Sequence, residues 1–207
     1  MSASISAVSV AADDIESAQA FYSALGLSDR VRLHAADEPS EGFRGFTLSP
    51  LVADPRQVDA FLESAARAGG RTITPARKSL WGYGGSVQAP DGSVWTVASS
   101  SKKPTGDAAP PLEYDSLVLL LGVDDVKTSK QFYVEQGLPV GKSFGGKYVE
   151  FELASSSIQL ALNPRKATAK NAGVDAAGSG SHRLTIIGGL GEVVDPDGFV
   201  WRGDTAS

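Results

Sequence analysis

Apolar and polar positions along this chain change their period several times, and the changes mark out its elements. Residues 5–12 alternate, with Ala7, Ser9 and Ala11 on one face and Val8, Val10 and Ala12 on the other. That pattern predicts a strand with one packed face and one face of small residues. The spacing then lengthens to a helical one. Ile15, Ala18, Tyr22 and Leu25 form a stripe, Asp13 and Glu16 supply a capping box, and Gly26 ends the helix. Residues 30–35 read as a short strand, 37–41 as a polar loop and 43–52 as a strand. Pro55 opens a second helix over 56–68, with Val58, Phe61, Leu62 and Ala65 inward and Gly69-Gly70 as its stop. Residues 71–74 form a short strand. Trp81-Gly82-Tyr83-Gly84-Gly85 reads as a glycine-rich loop carrying two large aromatics, and it has no phosphate-loop Lys-Ser/Thr.

The polar, Pro-, Ser- and Lys-containing stretch beginning at Ser99 has almost nothing to bury and reads as a linker, 100–112, between halves 1–99 and 113–207. Beyond it, 117–121 is a continuous apolar run, the signature of a strand buried on both faces. A helix is expected over 124–136, and strands over 148–153, 157–162 and 182–187. Residues 163–177 look irregular, with one helical turn near 166–170.

Several landmarks occur twice. Asp13-Asp14-Ile15, Phe21-Tyr22 and Gly26-Leu27 are matched by Asp124-Asp125-Val126, Phe132-Tyr133 and Gly137-Leu138. Pro90-Asp91-Gly92 leading to Trp95 is matched by Pro196-Asp197-Gly198 leading to Trp201. Each of these is a tight turn that feeds a strand with a buried indole: Pro presets φ, and Gly accepts the positive φ after Asp. Tyr133 follows Tyr22 by 111 residues and Gly198 follows Gly92 by 106, so one ancestral unit is used twice with small insertions and deletions.

Composition narrows the chemistry. The 207 residues are 42% hydrophobic and 21% charged, ordinary for a globular protein that buries a core. A net charge of −5 argues against nucleic acid and anionic membranes as partners. There is no cysteine, so disulfides, thiolate catalysis and Cys-based metal sites are excluded, and two histidines exclude a three-His centre. No stretch approaches membrane-spanning length and no basic, apolar leader opens the chain, so a cytoplasmic location is expected.

The order of these motifs and their doubling resemble the vicinal oxygen chelate superfamily, the group of glyoxalase I, bleomycin- and fosfomycin-resistance proteins and extradiol dioxygenases. The resemblance spans nearly the whole chain. It implies an α+β fold of tandem βαβββ modules, with curled mixed sheets around a cavity and helices outside. It also implies a divalent metal held by inward side chains. Carried over one at a time, those positions fall on Ala7, Pro50 and Thr96 in the first half, and on Val118, roughly Gly188, and Arg202 in the second. None of the six is an imidazole, carboxylate or thiolate, the donors that such metals need. The expectation is therefore no metal and no cofactor.

What the resemblance then implies is a protein that binds or sequesters a small hydrophobic or aromatic molecule in the sheet cavity, as a monomer or homodimer. Candidate ligand-binding residues are Phe46, Trp81, Tyr83, Tyr148, His182 and Arg202, the last two as donors to an anionic group. Core packing competes as an explanation for the aromatics, and turn or surface roles for His182 and Arg202. The alternative is a metal-free lyase or isomerase using Glu150, Glu152 or His182 as acid or base; a carboxyl enclosed in a cavity would be shifted toward such use. A metal-dependent glyoxalase-type lyase or dioxygenase, with ligands outside the six positions, is the third reading.

Overall fold

The computed structural model describes residues 4–79, 82–107, 110–153 and 156–204. The chain opens with β1 (Ile5–Ala12), α1 (Ile15–Ala24), β2 (Val31–Ala35) and β3 (Ser40–Gly42). A complete βαβββ unit follows: β4 (Phe46–Leu51), α2 (Pro55–Arg67), β5 (Arg71–Ser79), β6 (Gly82–Gln88) and β7 (Val94–Ser99). A second complete unit comprises β8 (Ser116–Val123), α3 (Val126–Glu135), β9 (Val140–Ser143), β10 (Val149–Phe151) and β11 (Gln159–Pro164). The chain then runs through α4 (Arg165–Ala172), β12 (Gly178–Gly180), β13 (Leu184–Gly188), β14 (Val193–Val194) and β15 (Val200–Arg202).

The inner units share one eight-stranded sheet, ordered β5-β6-β7-β4-β8-β11-β10-β9. They join where β4 and β8 pair antiparallel, with Leu48 opposite Leu119. The outer strands form a second sheet, β14-β15-β13-β1-β2, joined where β1 and β13 pair antiparallel with Val8 opposite Ile186. β3 and β12 make a separate ribbon. Both large sheets are mixed and open, so the fold is α+β with tandem βαβββ units and no closed barrel.

Local chemistry sets the helix ends. Asp14, one residue after the expected cap, accepts from Ser17 N at 3.0 Å, because Asp13 is drawn instead to Arg183 at 2.7 Å. The buried stripe of α1 is Ala18, Phe21 and Tyr22, while Ile15 is 43% exposed. In α2, Pro55 occupies the first turn and Asp54 forms a capping box with Gln57. Arg56 forks onto the Asp54 carboxylate with two bonds of 2.9 Å, and Thr105 N donates to the same group at 2.8 Å. This clasp ties the linker to the start of α2. The Arg56 hydrogen bonds, with help from backbone N–H donors, hold the Asp54 carboxyl far below the usual carboxylate range.

Three expectations change. Gly82 to Gly85 lie within strand β6 rather than in a loop: a Cβ at Gly85 would stand 2.7 Å from Leu62 Cδ1, so the small residue lets α2 sit close to the sheet. The strand β9, Val-Gly-Lys-Ser, has too little apolar alternation to be read from sequence. Much of the stretch expected to be irregular is α4, whose buried face is only Thr168, Ala169 and Ala172 and so carries almost no hydrophobic period.

The doubled motifs meet in space. Tyr22 of α1 donates its hydroxyl to Asp91 in the first turn, and the Trp95 indole donates to Ser93 Oγ at 3.1 Å. Tyr133 of α3 donates to Asp195 Oδ2 at 2.8 Å, and Trp201 donates to the Tyr133 hydroxyl at 3.2 Å. All four rings are buried. Burial, with the adjacent carboxylate second, pushes both tyrosine hydroxyls well above their ordinary pKa, and burial likewise raises Asp195. The copies differ in detail. In the second, the carboxylate that receives the tyrosine stands two residues earlier, and Asp197 instead accepts from Asp124 N at 2.7 Å and Ser129 Oγ at 2.6 Å.

Removing either phenol hydrogen bond, by Tyr22→Phe or Tyr133→Phe, should cost about 1–3 kcal/mol, read as a lower urea midpoint at unchanged slope. Because the Asp54 carboxyl is depressed, its contribution is present at neutral pH and is lost as pH falls through the acid range. Asp54→Asn should therefore lower the melting temperature at neutral pH, with the gap to the parent closing on acidification. Residues 1–99 expressed alone leave the β8-facing edge of β4 and the β13-facing edge of β1 unpaired. They should aggregate or dimerise, as read by light scattering and dispersion of amide resonances.

Candidate functional site

The eight-stranded sheet has two different faces. Trp95, Val97, Leu48, Leu119 and Leu160 are fully buried in the main core beneath the helices. The opposite face is built from the alternate positions. Strand register places Thr96 beside Ser86, Ser49 beside Val118, and Val118 beside Gln159. Ser49 Oγ and Thr96 Oγ1 are 2.5 Å apart, which completes one continuous row: Thr96, Ser49, Val118, Gln159. The row crosses β7, β4, β8 and β11, the first and last strands of each complete unit.

This corrects the expected ligand positions by one residue on β4. Pro50 is buried opposite Leu117 on the helix-packed face, and Ser49 holds the inward place. Gln159, absent from the sequence-derived set, completes the row; its signal was its place at the start of the last strand of its unit. On the smaller sheet, Ala7 and Arg202 both flank Ile187, so Ile187 rather than Gly188 lies between them.

Helix α4 covers one end of the row's face. Ser86 Oγ donates to Ala172 O at 2.7 Å, and a Cβ at Gly122 would lie 3.1 Å from Arg165 Cα. Phe43, Val94, Ala169 and Ala172 pack together there, above a buried Thr47 whose hydroxyl has no hydrogen-bond partner among the described residues. The end toward Leu51 stays open. Ser49, Thr96, Ala98, Ser116, Val118 and Gln159 are all partly exposed on it, and Leu51 is exposed. The result is a half-covered trough whose floor alternates hydroxyl, amide and aliphatic groups.

The sequence-derived candidates fall in several places. Phe46 is buried on the helix-packed face. Trp81 lies outside the described residues. Tyr83 turns toward α2 and donates to Asp59 at 2.8 Å, a bond that raises its pKa. Tyr148 donates to Glu150 at 3.0 Å, and Glu150 pairs with Lys142 at 3.1 Å near the outer edge of the sheet. Burial first, and the Glu150 carboxylate second, push the Tyr148 phenol up. Glu152 is exposed. His182 places one ring nitrogen 2.5 Å from Arg44 O and the other 3.0 Å from Asp197 O, with its ring stacked on Phe199. Arg202 is exposed at the far end of β15, paired in register with Ile187, so it and His182 do not converge.

A transition-metal site needs several convergent imidazole or carboxylate donors. Ser49, Thr96, Val118 and Gln159 do not provide them, and among the described residues no three His, Cys, Asp or Glu side chains gather as such a set. The residues at this row do not fit the metal that the fold family implies.

No family model matches the sequence, and no curated protein matches it. Solved structures do match. A point mutant of glyoxalase I from Zea mays superposes with a TM-score of 0.61 at 16% identity, covering 98% of this chain and 93% of its own. Glyoxalase I from Zea mays itself gives 0.58 at 15% identity, covering 97% and 91%. A Bacillus subtilis protein proposed to be a dioxygenase gives 0.54 at 10% identity, covering 90% and 70%. At these identities the likeness concerns architecture, and it agrees with the module order and sheet pairing described above. The chain has the fold of glyoxalase I and the vicinal oxygen chelate proteins.

Proposed function

We propose that this protein is a metal-independent small-molecule binding protein of the glyoxalase and bleomycin-resistance type, which takes its ligand on the open end of the eight-stranded sheet. The observation that carries the reading is the row Thr96–Ser49–Val118–Gln159. Three of its strands, β4, β7 and β8, are ones to which the resemblance assigns metal ligands, and it offers hydroxyls, the Gln159 amide oxygen and an aliphatic contact instead, the Gln159 amide nitrogen donating to Leu153 O and Ser156 O. Hydroxyl and amide groups orient a ligand by hydrogen bonds, and Val118, Ala98 and Leu51 supply apolar surface. A flat, largely apolar molecule with a polar edge suits such a floor. Sequestration is favoured over turnover because the acid–base candidates do not converge on the row: Glu150 is paired with Lys142, and both His182 nitrogens face backbone carbonyls.

The test is a thermal-shift screen of aromatic and polycyclic metabolites, followed by calorimetry on any hit. Val118→Trp should fill the trough while leaving the helix-packed face untouched, and should weaken binding by about tenfold or more, equivalent to about 1.4 kcal/mol. If no compound stabilises the protein, or Val118→Trp binds as the parent does, the reading fails. Stoichiometric Ni²⁺, Zn²⁺ or Mn²⁺ on the purified protein, lost on Gln159→Leu, would replace it with a metal-dependent activity.

A further inference from the structure

A second, chemically different recess lies at the opposite end of the eight-stranded sheet, beyond the N-terminus of β4. It has a volume of about 300 Å³ and is lined by Phe43, Arg44, Arg165, residues 178–181 and His182. Its walls are backbone and small side chains from Gly-Ser-Gly-Ser, plus two guanidiniums and an imidazole.

The cations here are short of negative partners. Arg165 donates Nε to Ala176 O at 3.1 Å and Nη2 to Phe43 O, and lies over the Phe43 ring. Among the described residues its Nη1 takes part in no hydrogen bond and the side chain makes no ion pair. Arg44 is only 8% exposed; its Nη1 lies 3.6 Å from Asp91 Oδ1 and makes no hydrogen bond. Among the described residues Asp91 is the carboxylate that pairs with Arg44, and it already accepts from Tyr22 and Ser93 N. The two nitrogens of the His182 ring face the carbonyl oxygens of Arg44 and Asp197. Gly45 lets the two side chains come close: a Cβ there would collide with Arg165 Nη1 and stand 3.2 Å from His182 Cε1, so the guanidinium takes the space that a side chain would fill. Burial lowers the Arg44 pKa, against the opposing charge of Asp91.

We propose that this recess is an anion site that takes the phosphate group of a small phosphorylated molecule, separate from the trough. The free Nη1 of Arg165 and the second, buried guanidinium of Arg44, whose Nη1 makes no hydrogen bond, suit a multiply charged tetrahedral oxyanion. The wall of 178–181 presents no carboxylate to oppose it.

The test is an amide NMR titration of the full chain with inorganic phosphate, and with acetate as the carboxylate probe. Phosphate should shift resonances of residues 43–45 and 178–182 saturably, and acetate should bind at least about tenfold more weakly. Arg165→Gln should weaken phosphate by about tenfold or more. Ser179→Asp, which changes only an exposed wall residue, should do the same by repulsion if Arg165→Gln does not fold. Val118→Trp should leave phosphate binding unchanged, which separates this site from the trough. No saturable shift, equal affinity in Ser179→Asp and the parent, or acetate binding as tightly as phosphate would each overturn the proposal.

Discussion

A buried tyrosine that donates to a buried carboxylate is the join on which the rest of this fold depends, and it is made twice. Tyr22 reaches from α1 to the turn before β7, and Tyr133 reaches from α3 to the turn before β15. Each bond crosses from one unit to another, and each sits against a tryptophan whose indole N–H is satisfied within the same cluster. A carboxylate buried without such partners would cost several kcal/mol. The hydrogen bonds therefore specify how the helix of one unit docks on the turn of the next. The two copies solve the problem with carboxylates two residues apart, which shows that the constraint is the bond and not the position of the aspartate.

That docking brings together strands distant in sequence. β4 meets β8 across the linker, and β1 meets β13 across most of the chain. Thr105 of the linker is tied to the start of α2, where its N–H donates to Asp54 and its carbonyl accepts from Arg56. Both sheets therefore draw strands from both sides of the linker, and the outer one joins the two ends of the described chain. The inner sheet is complete in both units, while the outer sheet ends in the two-residue strand β14 and the three-residue strand β15.

Helix α4 then decides what the inner sheet can hold. It covers the end of the inward face nearest Phe46 and leaves the Leu51 end open, so that face is half covered rather than enclosed. The same helix begins with Arg165, which it places beside Arg44 and His182. One short element thus lies between a neutral, hydrogen-bonding surface and one that carries two guanidiniums.

The sequence by itself determined the doubled units, the strand β1, the helices α1, α2 and α3 and the buried indoles, because these rest on strong local signals: period, caps, Pro-Asp-Gly turns and bulky apolar residues. Which residue of a strand points inward was decided by register, and register depends on a partner strand far away. That is why Pro50 gave way to Ser49 and why Gln159 went unseen. Elements with little apolar content, such as β9 and α4, took their form from the surfaces they pack against. The recess is tertiary altogether: Arg44, Arg165 and His182 are separated in sequence, and the fold brings them to one place.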